Sequence, residues 1–219
     1  TNVLDFAHLR FLYAAKALNI TENSTSNILR TVRHAQFARV GTAIATEQNL
    51  NLRLRNVLVY MATNCFSLDA PATISGEHLT LYQIANMRAG NTNLSLALTN
   101  SLLVAVTNTT AYTGSNNSTA SSGTNVFKSQ WGGLHYLADG STNRNAGSMN
   151  IDSSLLAELR KMTTYAPSNY TQTVSNTVIF APFVGRDTDV LDIGYHYYAL
   201  DYVVSNLALV DGAVLVFTN

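Results

Sequence analysis

The chain is almost free of cysteine, with Cys65 alone in 219 residues. One cysteine excludes an internal disulfide framework. Cys65 stands directly before Phe66 in a repeating apolar pattern. That position favours a buried, unreactive thiol over a nucleophile, since reactive thiols need exposure and a positive environment.

Charge is also scarce and balanced, with 13 basic and 13 acidic residues giving no net charge at pH 7. Binding to nucleic acid or to an anionic membrane surface requires a basic excess, so neither partner is expected. The chain has no apolar run of the length that spans a bilayer, so no transmembrane helix is predicted. The abundance of Asn, Thr and Ser predicts a polar, weakly charged surface, as is common in secreted bacterial β proteins.

Sequence signatures of catalysis are missing as well. There is no Gly-rich phosphate loop and no Gly-x-Ser-x-Gly nucleophile turn. Glycosidases need two carboxylates that flank the scissile bond, whereas the acidic residues of the repeat fall in different columns. These are Asp5, Glu22, Glu47, Asp69 and Glu77. The sequence therefore predicts a protein that is not an enzyme.

What the chain does contain is a repeat of 22 residues between positions 27 and 106. One column of it is polar, and we call it the ladder: His8, His34, Asn56, His78 and Asn100. Short runs with apolar residues at every second position surround the ladder and predict three short strands per repeat. Such a unit cannot bury its inner face alone and must stack on its neighbours. The pattern predicts an all-β, right-handed parallel β-helix, and the leucine-rich-repeat consensus is absent.

The ladder is predicted to point inward at a bend, where its side chains bond the turn backbone and each other. A metal site is the alternative, because histidine is a common ligand. Equivalent residues of stacked coils lie ~4.8 Å apart, so His34 and His78 would be separated by ~9.6 Å, too far to share one ion. A structural ladder is therefore favoured.

Two outward columns are candidates for a binding surface. Arg33, Arg55 and Glu77 directly precede the ladder residues, and Tyr60 and Tyr82 follow the ladder by four positions. The charged column predicts a solvated ion-pair ladder, with substrate clamps for an acidic sugar as the alternative. The aromatic column predicts a stripe covered by later chain or by a partner, with stacking on sugar rings as the alternative.

The rest of the chain divides by composition. Residues 1–110 are predicted to form the coils, and the Gly/Ser/Asn-rich stretch 111–131 a polar loop. Residues 132–200 form a closing segment with a short helix over 153–161, and residues 201–219 begin a new strand pattern.

Asp187, Asp189 and Asp192 form an acidic cluster in the closing segment. Carboxylates on a loop are ligands for Ca²⁺, but the cluster lacks the glycine and the late glutamate of an EF-hand loop. Helix caps and ion pairs with Arg186 are the alternative role. No other cofactor is predicted.

Two motifs carry a resemblance. Residues 133–147 read Gly-Leu-His-Tyr-Leu-Ala-Asp-Gly-Ser-Thr-Asn-Arg-Asn-Ala-Gly, and residues 187–197 read Asp-Thr-Asp-Val-Leu-Asp-Ile-Gly-Tyr-His-Tyr. Both are similar to the closing segments of bacterial secreted or cell-surface parallel β-helix repeat proteins. Thr142 stands where those proteins usually carry proline. The resemblance implies a β-helix fold and an extracellular or cell-surface location.

Taken together, these features predict a non-catalytic structural or adhesive β-solenoid, one unit of a larger surface protein or fibre. The strand pattern is open at both ends, which favours self-association or stacking on neighbouring domains of a longer chain. The predicted assembly residues in the last segment are Tyr202, Val204, Leu207, Leu209, Val214 and Val216. The alternative is a protein that binds or degrades polysaccharide in a groove beside Arg33, Arg55 and Glu77 and the tyrosines Tyr60 and Tyr82.

Overall fold

The computed structural model describes residues 3–21, 28–91 and 93–218. Its largest sheet is parallel throughout, and strands in successive coils pair with partners 22 residues later, as in Leu52↔Ile74 and Ile74↔Leu96. The first coil differs, with Leu4 paired to Arg30. The predicted all-β, parallel β-solenoid with coils of about 22 residues is confirmed.

The strands of this sheet are β1 (Val3–Ala7), β2 (Arg10–Leu12), β3 (Lys16–Ile20), β4 (Leu29–Thr46), β5 (Leu50–Leu68), β6 (Ala72–Gly90), β7 (Leu94–Thr99), β8 (Leu102–Asn108) and β9 (Ser118–Ala120). Strands β1–β3 form the first coil, β4 to β6 the next three, and β7 with β8 the fifth. The remaining elements are β10 (Phe127–Gln130), β11 (Gly133–Leu137), α1 (Ser153–Leu159), β12 (Met162–Thr163), β13 (Ser168–Tyr170), β14 (Thr173–Val174), β15 (Val178–Phe180), β16 (Tyr197–Tyr198), β17 (Tyr202–Val204), β18 (Ala208–Leu209) and β19 (Leu215–Phe217).

The coils bend at residues with left-handed backbone. Every ladder residue has a φ between 51° and 59°, a conformation that asparagine and histidine tolerate better than most side chains. A second left-handed residue follows five positions later in each coil: Tyr13, Arg39, Met61, Gln83 and Ala105. The left-handed φ alone does not select asparagine and histidine for the ladder, because the second column holds other side chains at the same φ.

The core fills the inside of the coils. Its residues include the column three positions after the ladder, Phe37, Val59, Leu81 and Leu103, each at most 2% exposed. Burying one such side chain contributes about 1.5–3 kcal/mol, so stacking supplies most of the stability of each coil. Cys65 lies in the same core, and burial raises the pKa of its thiol, as expected of an unreactive cysteine.

The solenoid continues into the stretch that was predicted to be a loop. Strand β9 pairs in parallel with β8, with Leu102 opposite Ser118, and Asn116 adds a further left-handed bend next to Asn100. The polar composition of 111–131 predicts a loop and gives no sign of this partial coil. Its backbone continues the parallel sheet, but paired residues lie 16 instead of 22 positions apart.

Helix α1 begins at Ser153, where the Asp152 carboxylate accepts hydrogen bonds from the Ser154 and Leu155 amides, and it ends at Leu159. It is therefore shorter than the predicted 153–161. Within the described ranges no helix is long and apolar enough to cross a membrane.

The last segment builds a second, smaller parallel stack. Strands β13, β14 and β15 pair in parallel with β17, β18 and β19. Phe180 lies at its centre and stacks on Phe217 with ring centroids 5.3 Å apart. Residues 202–217 thus form a further coil on residues 168–180 of the same chain.

Candidate functional site

A short piece of the closing segment, residues 192–198, runs along the stacking direction of the solenoid; we call it the axial segment. Its successive residues bond successive coils. The contacts are Gly194 N to Asn100 O (2.9 Å), Tyr195 N to Thr80 Oγ1 (2.8 Å), His196 N to Asn56 Oδ1 (2.7 Å) and the Tyr198 hydroxyl with His8 Nδ1 (3.1 Å). The motif that carried the family resemblance therefore covers the ladder.

The ladder side chains face this covering chain and not the interior of the coils, which corrects the predicted inward orientation. The Asn56 amide accepts from His196 N and donates to His196 O (2.9 Å), and Asn100 pairs in the same two-sided way with Ser148. The left-handed bend reverses the alternation of the strand, so the ladder side chain leaves the apolar core. Four of the five ladder residues are buried because a later segment closes over them, while His8 is exposed.

Two ladder histidines, His34 and His78, each accept a hydrogen bond from a ladder asparagine, which sets the tautomer of the neutral ring. Asn56 Nδ2 donates to His34 Nδ1 (3.1 Å), which leaves the proton of His34 on Nε2, where it meets Glu158 at 2.8 Å. Asn100 Nδ2 donates to His78 Nε2 (2.8 Å), so His78 Nδ1 donates to Gly194 O. Burial lowers the pKa of both histidines, since an imidazolium loses hydration there.

In the acidic cluster of the closing segment, two carboxylates bind other protein groups and one faces solvent. Asp187 and Asp192 are buried. The Asp187 carboxylate accepts a hydrogen bond from His196 Nε2 (2.5 Å), and the Asp192 carboxylate accepts one from Asn145 N (2.7 Å). Asp189 is exposed. Across residues 3–21, 28–91 and 93–218, no three His, Cys, Asp or Glu side chains are grouped so as to hold a metal ion. Calcium binding at this cluster stays a prediction.

The charged column ties helix α1 to the solenoid. Arg33 contacts Asp5 and Glu158, each at 3.0 Å, while Arg55 contacts Glu77 at 3.2 Å and Asp152 at 2.7 Å. Both guanidinium groups thus have two carboxylate partners. The structure does not combine this column with the aromatic stripe, because the two lie on opposite sides of the ladder.

On the other side of the ladder lies a groove with a volume of about 920 Å³. Its floor is formed by Arg10, Gln36 and Leu58, which are paired in register on three adjacent coils. One wall is the β10–β11 hairpin and the other is the end of the axial segment. The aromatic lining residues are His8, His34, Tyr60, Trp131, His135, Tyr195, Tyr197 and Tyr198.

The two tyrosines of the aromatic stripe stack on each other at 5.4 Å and are half-buried. Phe127 of the hairpin packs on Tyr82 (4.9 Å), whereas Tyr60 faces the groove beside His135 (4.4 Å). Burial in this aromatic cluster lowers the pKa of His135 to about 4. Sequence reasoning identified the tyrosines but missed Phe127 and His135, which come from a part of the chain with no repeat signal.

The rim of the groove carries exposed aromatic side chains. Trp131 lies in the turn of the hairpin and is 67% exposed, next to Gly132 with a φ of +98°. Tyr198 lines the opposite wall and is 58% exposed. No aspartate or glutamate lines this groove among the described residues. The arrangement offers ring stacking and hydrogen bonding, without the paired carboxylates of a glycosidase.

Comparison of the chain with known protein families, with curated proteins and with solved structures finds no match. The origin in bacterial secreted β-helix proteins that residues 133–147 and 187–197 suggest therefore stays a prediction. The fold itself is established by the strand pairing described above.

Proposed function

We propose that this protein is a non-catalytic adhesive β-solenoid that acts outside the cell and binds polysaccharide in the aromatic groove. The observation that carries the proposal is the exposed Trp131, which lines the same groove as Tyr60 and Tyr198. A sugar ring presents an apolar face of C–H groups, which stacks favourably on the electron-rich face of an aromatic ring. The groove volume of about 920 Å³ suits an oligosaccharide segment.

The way the groove is built supports binding with little reorganisation. Its floor belongs to strands of the solenoid, and its hairpin wall is held by Tyr136, which is 1% exposed and packs on Tyr197 at 4.4 Å. A preformed site loses less conformational entropy on binding than a mobile one. Among the residues that the structure describes, the lining has no aspartate or glutamate, which supports the non-catalytic part of the proposal because most glycosidases use a pair of them.

Replacing Trp131 with alanine tests the proposal. The change removes a stacking surface at the rim and should weaken binding of a recognised polysaccharide by roughly tenfold or more, as measured by isothermal titration calorimetry. The matched control is Phe183→Ala, since Phe183 is also 67% exposed but does not line the groove. Equal losses in the two variants, or no loss in Trp131→Ala, would count against the groove as the binding site.

A second candidate function is assembly through the 168–217 stack. Strands β17–β19 pair on one side with β13–β15, and no described strand pairs with their other side. Apolar side chains are exposed on these strands or directly beside them, including Leu209 (50%), Val214 (52%) and Val216 (37%). Unpaired edges with apolar side chains favour pairing with another chain. Of the other predicted assembly residues, Val204 is exposed while Tyr202 and Leu207 are half-buried.

Sedimentation velocity tests this assembly. The unmodified chain is expected to form dimers or longer oligomers as its concentration rises, and Val216→Lys should return it to monomers because a charge on an edge strand opposes pairing. Val190→Lys is the control, because Val190 is 43% exposed but lies outside these strands. A chain that remains monomeric at high micromolar concentration would rule out assembly by this edge.

A further inference from the structure

We propose that the groove takes an acidic polysaccharide, and that the guanidinium of Arg10 binds the carboxylate of a uronic acid residue. The inference rests on the proposed function, since it names the class of sugar that the aromatic groove accepts. It depends on the charge of the groove and on the order of residues along its floor.

Arg10 is a cation without a counter-charge. The residue is exposed and lines the groove, and its guanidinium forms no hydrogen bond or ion pair within the described part of the chain. Arg33 and Arg55, on the other side of the ladder, each have two carboxylate partners. Because none of the described residues that line the groove is an aspartate or glutamate, an anion that enters the groove meets attraction without a competing carboxylate among them.

The floor of the groove changes character from one coil to the next. Arg10, Gln36 and Leu58 follow one another at the strand spacing of ~4.8 Å. Gln36 is polar and donates to the Tyr195 hydroxyl at 3.0 Å, whereas Leu58 lies beside the cluster of Tyr60 and His135. The groove therefore has a cationic, polar end and an apolar, aromatic end.

A uronic acid matches both ends of this groove. Its ring offers an apolar face for the aromatic end, and its carboxylate offers a planar pair of oxygens that suits the fork of a guanidinium. Arg10 also acts electrostatically on the groove wall, since burial raises the pKa of Tyr195 and the charge of Arg10 opposes that rise.

The test uses the full chain and a panel of immobilised polygalacturonate, alginate and hyaluronan, each beside its carboxyl-reduced form. The unmodified protein is expected to bind at least one acidic polymer about tenfold more tightly than the reduced form, the effect of one charge-assisted contact. Arg10→Gln should abolish that preference, so that the variant binds the acidic polymer and its reduced form with equal affinity. The control is Arg39→Gln, which removes the same charge from an exposed arginine that does not line the groove.

The outcomes separate the two proposals. Binding to neutral or reduced polymers with no preference for acidic ones, or a preference that Arg10→Gln retains, would overturn the role of Arg10 and leave the aromatic groove in place. Equal losses in Arg10→Gln and Arg39→Gln would show a general charge effect and would also overturn it. Failure to bind any polymer, acidic or reduced, would contradict the proposed function and this inference with it.

Discussion

Replacing Asn56 with alanine is expected to lower the free energy of unfolding by at least about 3 kcal/mol, and to free the axial segment from the solenoid. The Asn56 amide bonds both the N–H and the C=O of His196 and also donates to His34, and all three residues are buried. Alanine would leave these groups without partners, at a cost of about 1–3 kcal/mol each. Urea unfolding measures the loss, and amide hydrogen exchange at His196 reports the release.

Two further variants separate the hydrogen bonds from the backbone. Asn56→Gly removes the side-chain amide, but glycine adopts a φ of 52° without strain. It should therefore be more stable than Asn56→Ala by about 1 kcal/mol and still clearly less stable than the unmodified chain. Asn108→Ala is the control, because Asn108 is exposed and donates one hydrogen bond to Asn86, so its loss should stay within about 0.5 kcal/mol. A stability of Asn56→Gly close to that of the unmodified chain would show that the amide does not hold the axial segment.

Acid is expected to destabilise the protein between about pH 6.5 and pH 4, before most carboxylates titrate. Burial lowers the pKa of His34, His78 and His135, the last to about 4. A histidine whose pKa is lowered by folding is neutral in both states above the unfolded-state pKa of about 6.5. As pH falls below that value, the unfolded state binds the proton more readily than the folded state, so the free energy of unfolding decreases. His135 alone should account for about 2–3 kcal/mol by pH 4.5.

A variant without the titrating imidazole tests whether His135 causes the acid sensitivity. His135→Phe keeps an aromatic ring against Tyr60, Tyr82 and Phe127, so it should be close to the unmodified protein in stability at about pH 7.5. At about pH 4.5 the variant should be the more stable of the two, because it has no proton to bind on unfolding. Asp192 acts in the opposite sense, since burial raises its pKa, but it is present in both proteins. Urea midpoints that fall equally with pH in both would exclude His135 as a source of the acid sensitivity.

The solenoid could be predicted because its cause is local and repeated. Each coil needs a residue that tolerates left-handed backbone at the bend and apolar residues at fixed distances from it, so His34, Asn56 and Phe37 stand in columns that the sequence displays. Register follows from the period without further information. The column pattern therefore predicts the ladder without any information on its partners.

The groove could not be predicted, because it joins distant parts of the chain without a shared period. Arg10 and Tyr60 belong to the coils, Trp131 to a stretch that was predicted to be a loop, and Tyr198 to the axial segment. The same limit explains the ladder orientation: Asn56 meets His196, a contact across 140 residues that no local pattern encodes. The rival binding site joined Arg33 and Tyr60, which fall on opposite sides of the ladder.

Intrinsic tryptophan fluorescence detects sugar binding in the groove, because the chain has one tryptophan and Trp131 lines the groove. Its emission therefore reports on this site alone. Titration with soluble neutral and acidic oligosaccharides is expected to shift the emission to shorter wavelength and to saturate, as the 67% exposed indole becomes covered by a sugar ring. An emission spectrum that stays unchanged with every saccharide, while the protein remains folded by circular dichroism, would contradict the account.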